Sequence, residues 1–471
     1  MYSEKDIRNI VEKQRSFFSS GRTLPVKWRI EQLRALKKAL IDNEEAIKTA
    51  LRDDLGRSGF ESYLCDIGPV IMEINESLRG LRRWSRPELH LSGPACFPSI
   101  FTRVYKVPYG VSLIISPFNF PFMLSLGVLQ ASISAGNTAV IKASSKSSHC
   151  TEVLKKIIAD SFPQEYITVI DGGHDIADLC LDQRFDKIFY TGSPQVAKHV
   201  MAKASENLTP VALELGGENG NWCIIRKDAD IRDAARKVAF FKLLNSGQIC
   251  IDINQVAVAD EVADEFIALL QEAFTSQIGS DPLSNEEYPH LINSGAFEKT
   301  EKTLAPYTDR IVFGGHGDSD ALRFEPTVIY PVGIDEEIVR KELFSPVLPV
   351  VPFDDDDIGG LLETISSREK PLAMYIFTRN GSWARKTMQK LQYGGGCINE
   401  VCTHMMVKGV PFNGVGHSGM GAYHGRWGFN EFSHPQTVLS GSSRFNLSMR
   451  EHPYSGSQGK IKEYLIRLFE R

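Results

Sequence analysis

Val111-Ser112-Leu113-Ile114-Ile115-Ser116-Pro117-Phe118-Asn119-Phe120-Pro121 is a short apolar run that stops in a proline-flanked turn. The run does not alternate polar with apolar, which is the pattern of a strand covered on both faces. Beyond the turn, an apolar helical stretch reaches Ala135, and Ala139-Val140-Ile141-Lys142 is a second such run. Strand, helix and strand in this compass predict parallel strands joined by a crossover helix. The pattern continues outward, with a helix over 152–162 and strands over 167–170 and 187–190. A second series follows Glu214, with strands expected over 222–225, 255–259, 326–330, 347–351 and 373–377. The fold class is therefore α/β: two doubly wound, Rossmann-like lobes that meet near Glu214, with a ligand cleft between them.

Upstream, helical spacing of apolar residues predicts packed helices, the first opened by a Ser3/Asp6 capping box. Pro25 suits the first turn of a second helix, and further helices are expected over 44–55 and 63–84. Between 90 and 107 the chain reads differently. Pro94 and Pro98 punctuate β-prone pieces, including 100–105, which suggest a small antiparallel element that pairs with another subunit. Asp354 to Asp357 reads as a solvated turn or helix start.

The chain has 471 residues, 42% of them hydrophobic, and a formal net charge of −5. That balance supplies material for more than one core and gives no electrostatic reason to expect nucleic acid or an anionic membrane. Residues 111–141 are the most apolar, but Pro117, Pro121, Gly127 and Gly136 break them, so they read as buried strand and helix, not a span of about 20 residues. The eight cysteines form no CxxC pair. This argues against a metal site or disulfide framework and points to a reducing, cytoplasmic setting.

Several motifs carry chemistry. Cys250 ends Asn245-Ser246-Gly247-Gln248-Ile249-Cys250, where Gly247 and Gln248 interrupt a helical pattern. A loop or helix start favours a thiolate there. Glu214 stands among Val211-Ala212-Leu213 and Leu215, an apolar setting that raises a carboxyl towards a useful base. Asn119, held between two prolines, can donate its amide N–H to a developing oxyanion. Tyr190-Thr191-Gly192-Ser193 joins a strand to a helix, which is a ready phosphate site. Lys142, with Ser144 and Ser145 after it, ends a strand on the ligand side of an open sheet. Gly414-Val415-Gly416-His417-Ser418-Gly419 matches a dinucleotide fingerprint in letters only. It follows no strand and opens no helix, so it reads as a structured loop near the site.

Taken in order, Pro117-Phe118-Asn119-Phe120-Pro121, Ala135-Gly136-Asn137-Thr138, Thr191-Gly192-Ser193, Glu214-Leu215-Gly216-Gly217, Gly247-Gln248-Ile249-Cys250, Glu342-Leu343-Phe344-Ser345-Pro346, Asn399 and Pro411-Phe412-Asn413-Gly414 resemble the aldehyde dehydrogenase superfamily. The resemblance covers nearly the whole chain and is greatest to the shorter, typically dimeric branch that handles fatty and aromatic aldehydes. It implies a cofactor-binding domain over 1–88, 108–214 and 404–430 and a catalytic domain over 215–403. Oligomerisation strands are implied over 89–107 and 431–446, and a tail over 447–471. It implies Cys250 as nucleophile, Glu214 as the base that activates water, and Asn119 with the Cys250 N–H as oxyanion donors. It further implies NAD or NADP as cofactor. Lys142 and Ser145 would face the adenine ribose, Gly192, Ser193 and Gly216 would line the dinucleotide site, and Glu342 and Phe344 would position the nicotinamide.

Ser145 stands where the family often has a Glu that would repel a 2′-phosphate, so NADP is admissible. The implied activity is oxidation of an aldehyde to the acid in a homodimer, with no nucleic-acid or membrane partner. Two alternatives remain open from sequence: transfer of the acyl group to coenzyme A, and a non-catalytic aldehyde- or nucleotide-binding scaffold.

Overall fold

The computed structural model describes residues 2–93, 96, 99–444 and 451–469. Pro94 and Pro98 lie outside the described residues, as do 445–450 of the expected last strand and tail.

One sheet has six strands. Five are parallel: Val111–Ile115, Thr138–Lys142, Ile167–Ile170, Lys187–Gly192 and Val211–Leu215. Val111–Ile115 pairs with Thr138–Lys142 on one side and Lys187–Gly192 on the other, so the strand order reverses there. The carboxyl ends of the strands at such a reversal open a crevice for ligands. The sixth strand, Gly419–Met420, runs antiparallel along the outer edge and sets Gly419 opposite Glu214.

The apolar stretch after the Pro117–Pro121 turn is the helix Met123–Ala135, almost wholly buried. Gly136, at φ 101°, ends it in the left-handed region that suits glycine. Asn137 then ties distant chain together: its Oδ1 accepts from Gly110 N at 2.9 Å and its Nδ2 donates to Phe432 O at 2.9 Å.

The second sheet has seven strands in the spatial order Ile311–Phe313, Thr327–Ile329, Val347–Phe353, Ile253–Ala259, Asn221–Ile225, Ala373–Phe377 and Gly395–Ile398. All are parallel except Ile311–Phe313. Gly395–Ile398 escapes a sequence reading because glycine is poor in strands. A Cβ on Gly396 would collide with the carbonyl of Met374 on the neighbouring strand, so the close pairing itself requires glycine there. A third sheet is antiparallel and joins Glu88–Leu91, Phe101–Pro108 and Ser433–Leu439.

Two local expectations need correction. Asp355 is buried, not solvated, because Arg226 reaches its carboxylate with two hydrogen bonds of 2.8 and 2.7 Å. Pro25 is the residue before the helix Val26–Asp42, with extended backbone, and not part of its first turn. The helix expected over 63–84 forms without a break, beginning in a π turn at Tyr63–Ile67 and continuing as Gly68–Trp84. The Ser3/Asp6 capping box forms, with Asp6 accepting from Ser3 N at 2.9 Å.

Candidate active site

Asn119, Lys142, Ser145, Gly192, Ser193, Glu214, Gly216, Cys250, Glu342 and Phe344 all line one cleft of about 670 Å³. They arrive from both large sheets. The carboxyl ends of Val111–Ile115, Thr138–Lys142, Lys187–Gly192 and Val211–Leu215 supply Asn119, Lys142, Ser193 and Glu214 at one wall. The loops around Cys250 and Glu342 supply the other.

Cys250 is half-buried in a turn after the helix Ile231–Leu243. Asn245 and Ser246, both with left-handed φ (49° and 51°), end that helix and swing the chain round to the cysteine. Gly247 has no room for a Cβ because the Ser345 carbonyl lies against it, so the Cys250 loop and the Glu342–Phe344 loop pack backbone to backbone. Phe344 holds a left-handed φ of 55°, and its ring meets Phe118 edge-on at 5.9 Å. A bulky residue in this region stores strain that the surrounding packing must maintain.

The electrostatics correct the expectation of a ready thiolate. Burial pushes the Cys250 thiol up to about 12, helped by the charges of Glu342 and Glu214. No helix N-terminus offsets this, since Cys250 follows a helix rather than opening one.

Glu214 is 4% exposed, and burial, then the charge of Glu431, raise its carboxyl well above the ordinary range. Its Oε2 is buried without a hydrogen-bond partner, so the residue, which lines the cleft, keeps an acceptor with spare capacity. Burial raises Glu342 to about 7, against the opposing charge of Lys299. Asn119 is 2% exposed and its Nδ2 donates to the Gln248 carbonyl at 3.1 Å, which leaves one amide N–H for a ligand.

The remaining features suit a dinucleotide. Ser193 caps the helix Pro194–Ser205, whose free N–H groups and dipole favour phosphate at that end. Neither Gly192 nor Gly216 has room for a Cβ. The first abuts the Tyr190 hydroxyl and the second the Glu342 carboxylate, so backbone faces the cleft at both. Lys142 is buried, and its ammonium donates to the carbonyls of Ala143 at 2.8 Å and Gly172 at 2.7 Å, which aims it along the cleft rim. Ser145 is exposed at the same end, near Lys146 and His174.

Sequence reasoning missed Tyr190, whose hydroxyl donates to Ser193 O at 3.4 Å, and Lys299, which lines the cleft from the helix Ser294–Leu304. It also missed Arg57, buried beneath the cleft with Asp66. Nothing in the local sequence of Lys299 or Arg57 marks them, because Glu342 and Asn119 are distant in the chain. Val70, Met72, Met123, Met405 and Met406, together with Glu73, Lys408 and His424, line a separate narrow slot of about 20 Å³. The loop at 414–419 lies against Glu214 through the Gly419 register.

The description "Aldehyde dehydrogenase family" belongs to a family model that matches residues 1–438. A 4,4'-diaponeurosporen-aldehyde dehydrogenase of Staphylococcus aureus is 34% identical over 97% of this chain and 99% of its own. A mouse aldehyde dehydrogenase described as dimeric and NADP-preferring is 33% identical over 98% and 100%. Among solved structures, a substrate-bound Staphylococcus aureus AldH superposes with a TM-score of 0.93 at 33% identity, covering 99% of this chain and 100% of that one.

Proposed function

The chain belongs to the aldehyde dehydrogenase family, and on that premise we propose that it oxidises an apolar aldehyde to the acid through a covalent adduct on Cys250. The activity is NAD(P)-dependent oxidation of an aldehyde. The observation that carries the mechanism is the single cleft in which Cys250, Asn119 and Glu214 stand together, with Glu214 buried and one of its oxygens unpartnered.

The Cys250 sulfur adds to the aldehyde carbon and its proton leaves to solvent or to a cleft carboxylate. The carbonyl oxygen becomes an oxyanion that accepts from the free N–H of Asn119 Nδ2 and from the Cys250 backbone N–H. NAD(P), when bound along Lys142, Ser145, Gly192, Ser193, Gly216, Glu342 and Phe344, supplies the acceptor for the hydride that the adduct loses. Glu214 takes a proton from water, the hydroxide attacks the resulting thioester, and the acid departs as the Cys250 sulfur is released. Glu214 is the feature that supports water over coenzyme A as acyl acceptor.

We assign 1–88, 108–214 and 404–430 to the cofactor lobe and 215–403 to the catalytic lobe, with the reaction at their junction. Phe118 and Leu124 in the cleft, with Met123, Met405 and Met406 on nearby segments, support an apolar aldehyde, because methionine adapts to apolar surfaces. Ser145 and Lys146 support tolerance of NADP beside NAD. Among the described residues no helix is long and apolar enough to cross a membrane, and we assign the enzyme to the cytoplasm.

The antiparallel sheet supports a homodimer. It leaves Leu89, Leu91, Phe101, Val438 and Leu439 exposed, and Ser433–Leu439 lies at its edge. Such a surface suits a second copy of the chain.

The test is transient kinetics. Glu214→Gln should release about one equivalent of NAD(P)H per site in a burst, with steady turnover slowed by about 10²–10⁴. Cys250→Ala should give neither burst nor turnover while still binding cofactor. Full turnover in either variant would overturn the assignment.

A further inference from the structure

Arg57 lies just after the helix Glu44–Leu55, far from the cleft in sequence, yet its side chain is 0% exposed. Its guanidinium makes one bond to each of three partners. Nη1 donates to Asp66 Oδ2 at 2.5 Å, Nε donates to Asn245 Oδ1 at 2.9 Å, and Nη2 donates to the backbone carbonyl of Asn119. Its plane also rests 4.6 Å from the Phe120 ring centre.

These partners belong to the two segments that must register for catalysis. Asp66 Oδ1 accepts from Phe122 N at 2.9 Å and Met123 N at 2.8 Å, which anchors the far side of the Asn119 turn. Asn245 Nδ2 donates to Asn119 O at 3.1 Å and to Gln248 O at 3.0 Å, and Asn245 N donates to Glu61 Oε1 at 2.6 Å. Asn119 Nδ2 in turn donates to Gln248 O. Two bonds, Asn245 Nδ2 to Asn119 O and Asn119 Nδ2 to Gln248 O, run directly between the turn that carries the oxyanion amide and the loop that carries the nucleophile, and Arg57 bridges the same two segments.

We infer that Arg57 is a positioning residue: it fixes the Asn119 amide relative to Cys250 by bridging both segments through Asn245 and the Asn119 carbonyl. The inference rests on the roles proposed above for Asn119 and Cys250. A guanidinium is needed because it directs donors to several acceptors in fixed directions, and an ammonium on a flexible stem does not. Arg57→Lys keeps the charge opposite Asp66 and removes that geometry. Small misplacement of a group that acts only at the transition state lowers kcat and leaves ground-state binding alone.

The experiment is a double-mutant cycle of Arg57→Lys with Asn119→Ala, read as kcat and as cofactor KM on the full chain. Arg57→Lys alone should lower kcat about tenfold or more, with cofactor KM held within about twofold. On the Asn119→Ala background it should lower kcat by less than about twofold further, because the group it positions is already gone. Unchanged kcat in Arg57→Lys, or an effect that multiplies in full with Asn119→Ala, overturns the inference and leaves the Asn119 role standing. Unchanged kcat in Asn119→Ala alone overturns the underlying role and the inference with it. If Arg57→Lys fails to fold, Asn245→Gly replaces it in the cycle. It preserves the left-handed backbone and removes the linking amide, and the same outcomes apply.

Discussion

At the residue scale, the proposed nucleophile is held in reserve. Burial beside Glu342 and Glu214 keeps the Cys250 thiol protonated in the free enzyme across the physiological range. The sign is direct: with the thiol raised to about 12, thiolate grows as pH rises and does not saturate near neutrality. Alkylation of cofactor-free enzyme by iodoacetamide should therefore rise about tenfold per pH unit between pH 7 and 10. A plateau below pH 8 would show that a thiolate is already formed. Cys250, Glu214 and Asn119 stood out in sequence as candidates because glycine or proline lies within three residues of each, and the fold brings all three to one cleft. The state of the thiol was not legible, because it depends on Glu342, which only the fold brings near.

At the element scale, the proposed cofactor contacts come from turns that follow strands. Gly216 follows the strand Val211–Leu215 and lies so close to Glu342 that any side chain would displace that carboxylate. Gly216→Ala should raise the cofactor KM about tenfold or more, a loss of roughly 1.4 kcal/mol, with a smaller change in thermal stability. An unchanged cofactor KM, measured by initial rates, would remove Gly216 from the cofactor site. The central strands were legible because parallel strands buried on both faces read as unbroken apolar runs, and Ile167–Ile170 and Ala373–Phe377 match their expected spans. Gly395–Ile398, Gly419–Met420 and the helix His174–Leu181 were not, since partner strands or packing outweigh their weak local propensity.

At the scale of the whole molecule, the exposed antiparallel sheet carries the association proposed above. Val438→Lys with Leu439→Lys places charge on its edge strand and should convert a dimer to monomer in analytical ultracentrifugation, with the fold of each protomer retained. A dimer that persists would move the interface elsewhere. The position of Gly419 opposite Glu214 also has a bearing on biosynthesis. A chain leaving the ribosome presents the Asn119 turn, the strand of Glu214 and the Cys250 loop well before the segment that closes the edge of that strand. Synthesis thus delivers the reactive groups early and their enclosure late. The nascent protein carries Asn119, Glu214 and Cys250 together for nearly half of its elongation and acquires the strand beside Glu214 only as translation nears its end.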